Sequence, residues 1–307
     1  MPNKTSLAII KRPNLARQES RKMSLTTPAQ TIAVLKRFNL RLTKRLGQNF
    51  LVDENILKKT GSLAKLKSDD VILEIGPGIG TLTQHLASNS RAVLAIEYDR
   101  KFLPVLNETL SSFNNVTVFH SDALDFDLTS VVSEPLLPNK MVSNLPYNIA
   151  VPLLVKCLQK YPFLKTFVVM VQKEIAMRMM AEPATKDYSA VTLLFQYYCR
   201  LCPGFSVSRN VFLPSPNVDS AVVKLERLDF PRISVGNQEL LFELIKAAFA
   251  QRRKTIRNTL VAGTCFNAKE VESILKKNRV DLSRRGETLT LEEFGALCLG
   301  FEQLDFT

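Results

Sequence analysis

Val71-Ile72-Leu73-Glu74-Ile75-Gly76-Pro77-Gly78-Ile79-Gly80 is the stretch that decides the fold. A short, largely apolar run ends in three glycines, and Thr81–Ala87 then has helical character. That pattern describes a buried strand turning tightly into a helix. The glycines do not follow the dinucleotide spacing G-x-G-x-x-G, in which a pyrophosphate sits on the helix N-terminus. They fall at every second position, so the loop has room for a nucleoside without demanding a phosphate.

Strand and helix signals alternate downstream. Ala92–Ile96 is a strand closed by Glu97, Lys101–Leu110 a helix, Val116–His120 a strand followed by Asp122, and Lys140–Ser143 a short strand running into Asn144. A helix (Pro152–Lys160), a strand (Thr166–Val171) and a helix (Lys173–Ala181) come next, then a loop, Glu182–Tyr188. Val191–Tyr198 fits either helix or strand, and Val222–Leu228 is a late β run after Pro214-Ser215-Pro216. Upstream, Asp53 to about Leu66 and Ala29–Phe38 have helical character.

This alternation predicts an α/β fold with a doubly wound, mostly parallel sheet. Ligands of such sheets bind beyond the carboxyl ends of the strands. Gly76, Glu97, Asp122 and Asn144 all fall at such ends. After Pro231 the apolar positions Leu241, Leu244, Ile245, Ala248 and Phe249 recur at helical spacing, with further helices around Ala268–Lys277 and Leu291–Leu299. The expected organisation is a basic extension over 1–40, an α/β domain over 41–230 and a small all-α domain over 235–307.

The net charge of +12 is concentrated at the start. Residues 1–45 hold 11 Lys/Arg and one acid, Glu19; the remainder is close to balanced. Such an arm suits a phosphate-rich partner, a solubilising tail or a transit peptide, and Met23 is an alternative start. No apolar run is long enough to span a membrane. Five cysteines without framework spacing favour a reducing compartment.

Glu97 lies 21 residues beyond Gly76, placed to accept both hydroxyls of a ribose, and Asp122 is placed to accept an adenine amino group. Together with the glycine loop, this is the arrangement expected for S-adenosylmethionine. Asn144-Leu145-Pro146-Tyr147 supplies the other half of a reaction. An aromatic amine is a poor nucleophile because its lone pair is delocalised, so catalysis must position the nitrogen and localise that pair. The Asn144 side-chain oxygen and the Leu145 carbonyl are the two acceptors, Pro146 fixes the turn, and Tyr147 stacks on the base. Phe212 is the candidate for the other face. The reaction implied is methyl transfer to the amino group of a nucleobase.

The chain resembles the ribosomal RNA adenine N6-dimethyltransferases that act on small-subunit RNA. The matching runs are Leu46–Asp53, Leu73–Thr83, Ile96–Arg100, Ser121–Ala123, Val142–Ile149, Thr185–Tyr188 and Phe212–Ser220, in order over about residues 41–300. The resemblance implies a Rossmann-like class I methyltransferase fold. It implies cofactor contacts at Asn49, Leu51, Gly76, Gly78, Glu97, Asp122 and Asn144. It also implies that Asn144, Leu145 and Tyr147 hold the target adenine, assisted by Phe212. Two methyls on each of two adjacent adenosines near the 3′ end of small-subunit RNA are expected, within a pre-ribosomal particle. Ser121 and Ser189 stand where glycine is common, and neither has a chemical role.

Arg252, Arg253, Lys254 and Arg257 are expected on the first helix of the tail, with Arg253 and Arg257 sharing a face, and no acid lies between Lys246 and Lys269. They form the candidate RNA-phosphate contact. Cys199-Arg200-Leu201-Cys202 has no second pair and is read as chance, so no metal is expected. His120 is read as packing. A monomer in a bacterial cytoplasm is expected, with mitochondrion or plastid second. Two rivals stay open: a large-subunit adenine methyltransferase conferring macrolide resistance, and an organellar transcription factor of the same fold that binds DNA.

Overall fold

The structure, a computed structural model, describes residues 9–10, 24–40 and 49–304. Most of the basic arm, Met23 and the Leu46-Gly47-Gln48 part of the N-terminal motif lie outside the described residues. Within the arm, α1 (Pro28–Arg37) starts at a Thr27 capping box with Pro28 in its first turn. The chain divides into two compact units.

The first unit comprises residues 1–173 and 202–226. Its sheet has the order β1 (Ile9–Ile10), β5 (Val116–His120), β4 (Ala92–Glu97), β3 (Val71–Ile75), β6 (Lys140–Asn144), β7 (Thr166–Gln172), β10 (Ser220–Arg227), β8 (Cys199–Val207). The central strands β5, β4, β3, β6 and β7 are parallel, whereas β1 and β10 pair antiparallel. β3, β4 and β7 are apolar nearly throughout because they are covered on both faces. α2 (Glu54–Ala64), α3 (Thr81–Ala87), α4 (Leu103–Thr109) and α5 (Ala150–Lys160) connect or flank them. Asp53 caps α2 by accepting from the Asn55 and Ile56 amides at 2.8 and 3.1 Å.

Strand order reverses between β3 and β6, the crevice where such sheets bind ligands. At that point Ser143 Oγ donates to the Ile75 carbonyl (2.7 Å) and accepts from the Ile75 amide (3.2 Å). One buried hydroxyl thus satisfies both polar groups of the last β3 residue as the strands part, one residue before Gly76 and Asn144. A separate ribbon, β2 (Phe50–Leu51) with β9 (Phe212–Leu213), pairs Leu51 with Phe212 and Phe50 with Leu213.

The second unit comprises 174–201 and 227–307, so the expected linear boundary at 230–235 is corrected. α6 (Lys173–Met179) and α7 (Ala190–Tyr198) lie almost wholly in it, with α8 (Gln238–Phe249), α9 (Ile256–Gly263), α10 (Ala268–Lys277) and α11 (Leu291–Glu302). The reason is apolar: Leu193 and Tyr197 of α7 and the buried Tyr188 share one core with Leu241, Leu244, Phe294 and Phe301. The Tyr188 hydroxyl donates to the Leu289 carbonyl at 2.8 Å.

Candidate active site at the carboxyl ends of the strands

A cavity of about 360 Å³ opens at the carboxyl ends of the central strands, within the usual range for small-molecule sites. All seven expected cofactor residues line it: Asn49, Leu51, Gly76, Gly78, Glu97, Asp122 and Asn144. So do Leu145, Pro146 and Tyr147.

The glycine loop is shaped by backbone geometry. Gly76 and Gly78 both take positive φ, +70° and +57°, which L side chains rarely adopt. A Cβ on Gly78 would come within 2.8 Å of the Phe50 ring, so the N-terminal ribbon closes over the loop only because the residue is glycine. The Gly78 amide donates to Glu97 Oε2 at 3.1 Å, and the Asp99 amide to Oε1 at 2.8 Å. Glu97 therefore ties the first strand-end loop to the second while facing the cavity. Burial pushes its carboxyl up to about 7, against the pull of those amides.

Glu74, absent from the expected site, also lines the cavity. It is 1% exposed, and its Oε2 has no hydrogen-bond partner. Burial pushes it up to about 8, partly offset by the Thr83 hydroxyl and reinforced by the Glu97 charge. A third buried carboxylate, Asp70 at the opposite end of β3, accepts from Lys140 Nζ at 2.7 Å and Asn139 Nδ2 at 2.8 Å. Burial alone would raise Asp70, but these donors hold it below the usual carboxylate range. No cation pairs with Glu74 or Glu97 among the described residues. Two acceptor-rich groups without a counter-charge fit a cationic, hydroxyl-bearing ligand.

The loop after β5 is held by a lysine. Asp122 Oδ1 accepts from the Leu124 amide at 2.8 Å. Lys156 Nζ of α5 donates to the carbonyls of Ala123, Leu124 and Phe126 at 3.0, 2.6 and 2.7 Å. His120 Nε2 lies 3.1 Å from the Tyr98 carbonyl oxygen, a backbone tether. Asn144 Nδ2 donates to the Asn49 carbonyl at 3.3 Å, which turns its side-chain oxygen into an acceptor position. The Leu145 amide is spent on the Met170 carbonyl at 3.1 Å, fixing the peptide before Pro146. The Tyr147 hydroxyl lies 2.5 Å from Ser220 Oγ.

Two expectations are corrected. Phe212 is 4% exposed, sits in the core of its unit and does not line the cavity. The basic run is not one helix face: α8 ends at Phe249, a turn intervenes, and α9 begins at Ile256. Arg257 pairs with Glu272 at 2.6 Å, and Arg252 with Glu287 at 3.1 Å and with the Lys186 carbonyl at 2.8 Å. Arg253 and Lys254 are exposed on the turn. The CxxC pair lies on β8, where Cys199 is buried and its thiol is pushed up to about 12 by desolvation. Among the described residues no group of three or more His, Cys, Asp and Glu is placed to hold a metal ion.

The profile of a family described as ribosomal RNA adenine dimethylase matches residues 39–296. A ribosomal RNA small subunit methyltransferase A from Lysinibacillus sphaericus is 44% identical over 279 residues, 89% of this chain and 95% of that protein. One from Clostridioides difficile is 43% identical over 275 residues, 89% and 95% of the two chains. Among solved structures, a dimethyladenosine transferase from Plasmodium falciparum superposes with a TM-score of 0.71 at 27% identity, over 83% of this chain and 98% of that one. The 23S rRNA methyltransferase ErmE gives 0.62 at 28% identity, over 84% and 100%. The sheet is accordingly the Rossmann-like sheet of class I methyltransferases.

Proposed function

Because this chain belongs to the ribosomal RNA adenine dimethylase family, it is an S-adenosylmethionine-dependent enzyme that dimethylates adenine in ribosomal RNA, and we propose how its own residues do so. The proposed substrate is small-subunit RNA within a pre-ribosomal particle, at two adjacent adenosines near the 3′ end. Relatives above 40% identity named for the small subunit support it.

The single observation that carries the residue assignment is the cavity at the β3–β6 switch point. It gathers the glycine loop, two unpaired carboxyls and the Asn144–Tyr147 run within one unit. The residues fit the cofactor. Gly76 and Gly78 would leave room for it beside the backbone, Glu97 would accept from its ribose hydroxyls and Asp122 from its adenine amine, and the buried Glu74 carboxyl would favour its positive charge. When bound, the cofactor supplies a methyl whose bond to sulfur breaks as the N6–carbon bond forms, the pair leaving on sulfur and one N6 proton passing to water.

The chain's part is positioning. The Asn144 side-chain oxygen and the Leu145 carbonyl accept the two N6 protons, which draws the lone pair out of the ring and aims it. Tyr147 stacks on the base. Pro146 packs over the glycine loop, its Cγ 3.4 Å from where a Gly76 Cβ would lie, so base loop and cofactor loop are set against each other. No strong general base is needed, because the N–H becomes acidic after transfer.

RNA contact is proposed for Arg253 and Lys254, exposed and outside the ion pairs that engage Arg252 and Arg257. A monomer is proposed because one chain supplies the whole cavity. No described helix is long and apolar enough to cross a membrane. The proposed location is the bacterial cytoplasm, after its relatives, with mitochondrion or plastid as the alternative that the basic arm keeps open.

The test supplies labelled S-adenosylmethionine to immature small-subunit particles and, separately, to large-subunit RNA, and digests the products to nucleosides. Dimethyladenosine from the small-subunit sample alone is expected. Label in the large-subunit RNA alone would reassign the substrate.

A further inference from the structure

Tyr147 ends in a hydroxyl that stacking does not need. A phenylalanine offers the same ring face, and a half-buried hydroxyl costs desolvation unless it is bonded. Here the hydroxyl meets Ser220 Oγ at 2.5 Å. Ser220 is fully buried and opens β10, paired in register with Gln172 of β7. Its neighbour Asp219 is fastened on both sides: its carbonyl accepts from the Lys173 amide at 3.0 Å, and its Oδ1 from the Arg209 amide at 3.0 Å. The Tyr147 ring is therefore moored to the sheet, not to its own loop, 73 residues away in sequence.

We infer that Ser220 is a positioning residue for the target base, holding the Tyr147 ring through this hydrogen bond, and that the second methyl transfer to an adenine depends on it more than the first. The inference rests on the proposed base-holding role of Asn144, Leu145 and Tyr147. Its physical basis is a count of protons. Unmethylated N6 carries two N–H groups, one for each acceptor. After one transfer, which trades an N–H for an N–C bond and passes the proton to water, only one N–H remains. One of the two acceptors, the Asn144 oxygen or the Leu145 carbonyl, then loses its partner. The base is held by one hydrogen bond and by stacking, so the pose depends more heavily on the orientation of the ring.

The experiment compares Ser220→Ala, Tyr147→Phe and the double variant. It measures the ratio of monomethyl- to dimethyladenosine, together with the fluorescence quenching of 2-aminopurine placed at the target position of the small-subunit RNA. Tyr147→Phe keeps the ring and serves if Ser220→Ala fails to fold, which a thermal melt reports. Each single variant is expected to raise the monomethyl fraction roughly 3- to 10-fold, the worth of one hydrogen bond, and to reduce quenching. Michaelis constants for S-adenosylmethionine should stay put. The double variant should match the singles, because all three break one bond. A wild-type product ratio in folded Ser220→Ala and Tyr147→Phe, or additive effects in the double variant, would overturn the inference. Tyr147→Ala separates it from the underlying reading: if that variant methylates normally, the base-holding role itself fails.

Discussion

Two parts of this molecule were marked by sequence motifs and fared differently in three dimensions. The strand-end residues Gly76, Glu97, Asp122 and Asn144, spread over about 70 residues, converge on one cavity. The basic run Arg252–Arg257, six consecutive residues, does not form one face. The difference lies in what assembles each. A parallel sheet brings successive strand ends to one edge whatever lies between them, so a residue's place at a strand end fixes its place in space. A run of charges has no such guarantee. The partners that neutralise Arg252 and Arg257 are Glu287 and Glu272, 35 and 15 residues further on. Local charge counts cannot see them.

The sharpest way to break this contrast within the cavity is through its carboxyls. Glu97→Ala should weaken S-adenosylmethionine binding by roughly 10- to 100-fold, because two charge-assisted hydrogen bonds to ribose are lost. Titration calorimetry checks it. The same experiment against pH tests the electrostatics. Glu97 and Glu74 sit near 7 and 8 in the unliganded protein, and a cationic ligand favours their ionised forms. Affinity should therefore rise with pH through this window, with proton release on binding. Stability of the unliganded protein should run the opposite way. Both carboxyls hold protons more tightly folded than unfolded, so their contribution is present below the ordinary carboxylate range and is lost as pH rises through about 7 and 8. Affinity that is flat with pH would remove the unpaired-carboxyl account.

The smaller effect belongs to the basic run. Arg257→Ala should leave the melting temperature close to that of the wild type, as expected for a solvent-screened pair, and leave RNA affinity within about twofold. Arg253→Ala with Lys254→Ala should leave stability unchanged and lower the salt dependence of RNA binding by about 1 to 2 in slope. The reverse pattern would assign the RNA contact to Arg257 in place of Arg253 and Lys254.

Much of the fold was legible because buried parallel strands are short apolar runs with glycine or acid at the end. Val71–Ile75 and Val116–His120 have the bounds their patterns imply. Cys199–Val207 was missed for a reason that is itself structural. Pro203 and Gly204 interrupt any strand pattern in the sequence, yet β8 is an edge strand, where proline is tolerated. Gly204 serves close approach: a Cβ there would lie 1.9 Å from the Val222 carbonyl oxygen. Phe212 was misplaced because an aromatic beside a motif looks the same in sequence whether it faces a ligand or the core. Glu74 and Ser220 fall within the matching runs Leu73–Thr83 and Phe212–Ser220 without a role of their own there, and Lys156 falls in none. Glu74 reads as part of an apolar strand, and the partners of Lys156 and Ser220 lie 30 or more residues away.

The central claim is that the Asn144 side-chain oxygen acts on the base, beyond the tether its amide makes to the Asn49 carbonyl. Its most direct test is Asn144→Ala, with methyl transfer measured beside equilibrium binding of small-subunit RNA. The account predicts transfer reduced by roughly 100-fold or more, the scale of losing one preorganised acceptor in a water-excluded site, with RNA affinity unchanged. Methylation at the wild-type rate with affinity intact would contradict it and assign the holding of N6 to groups other than the Asn144 side chain.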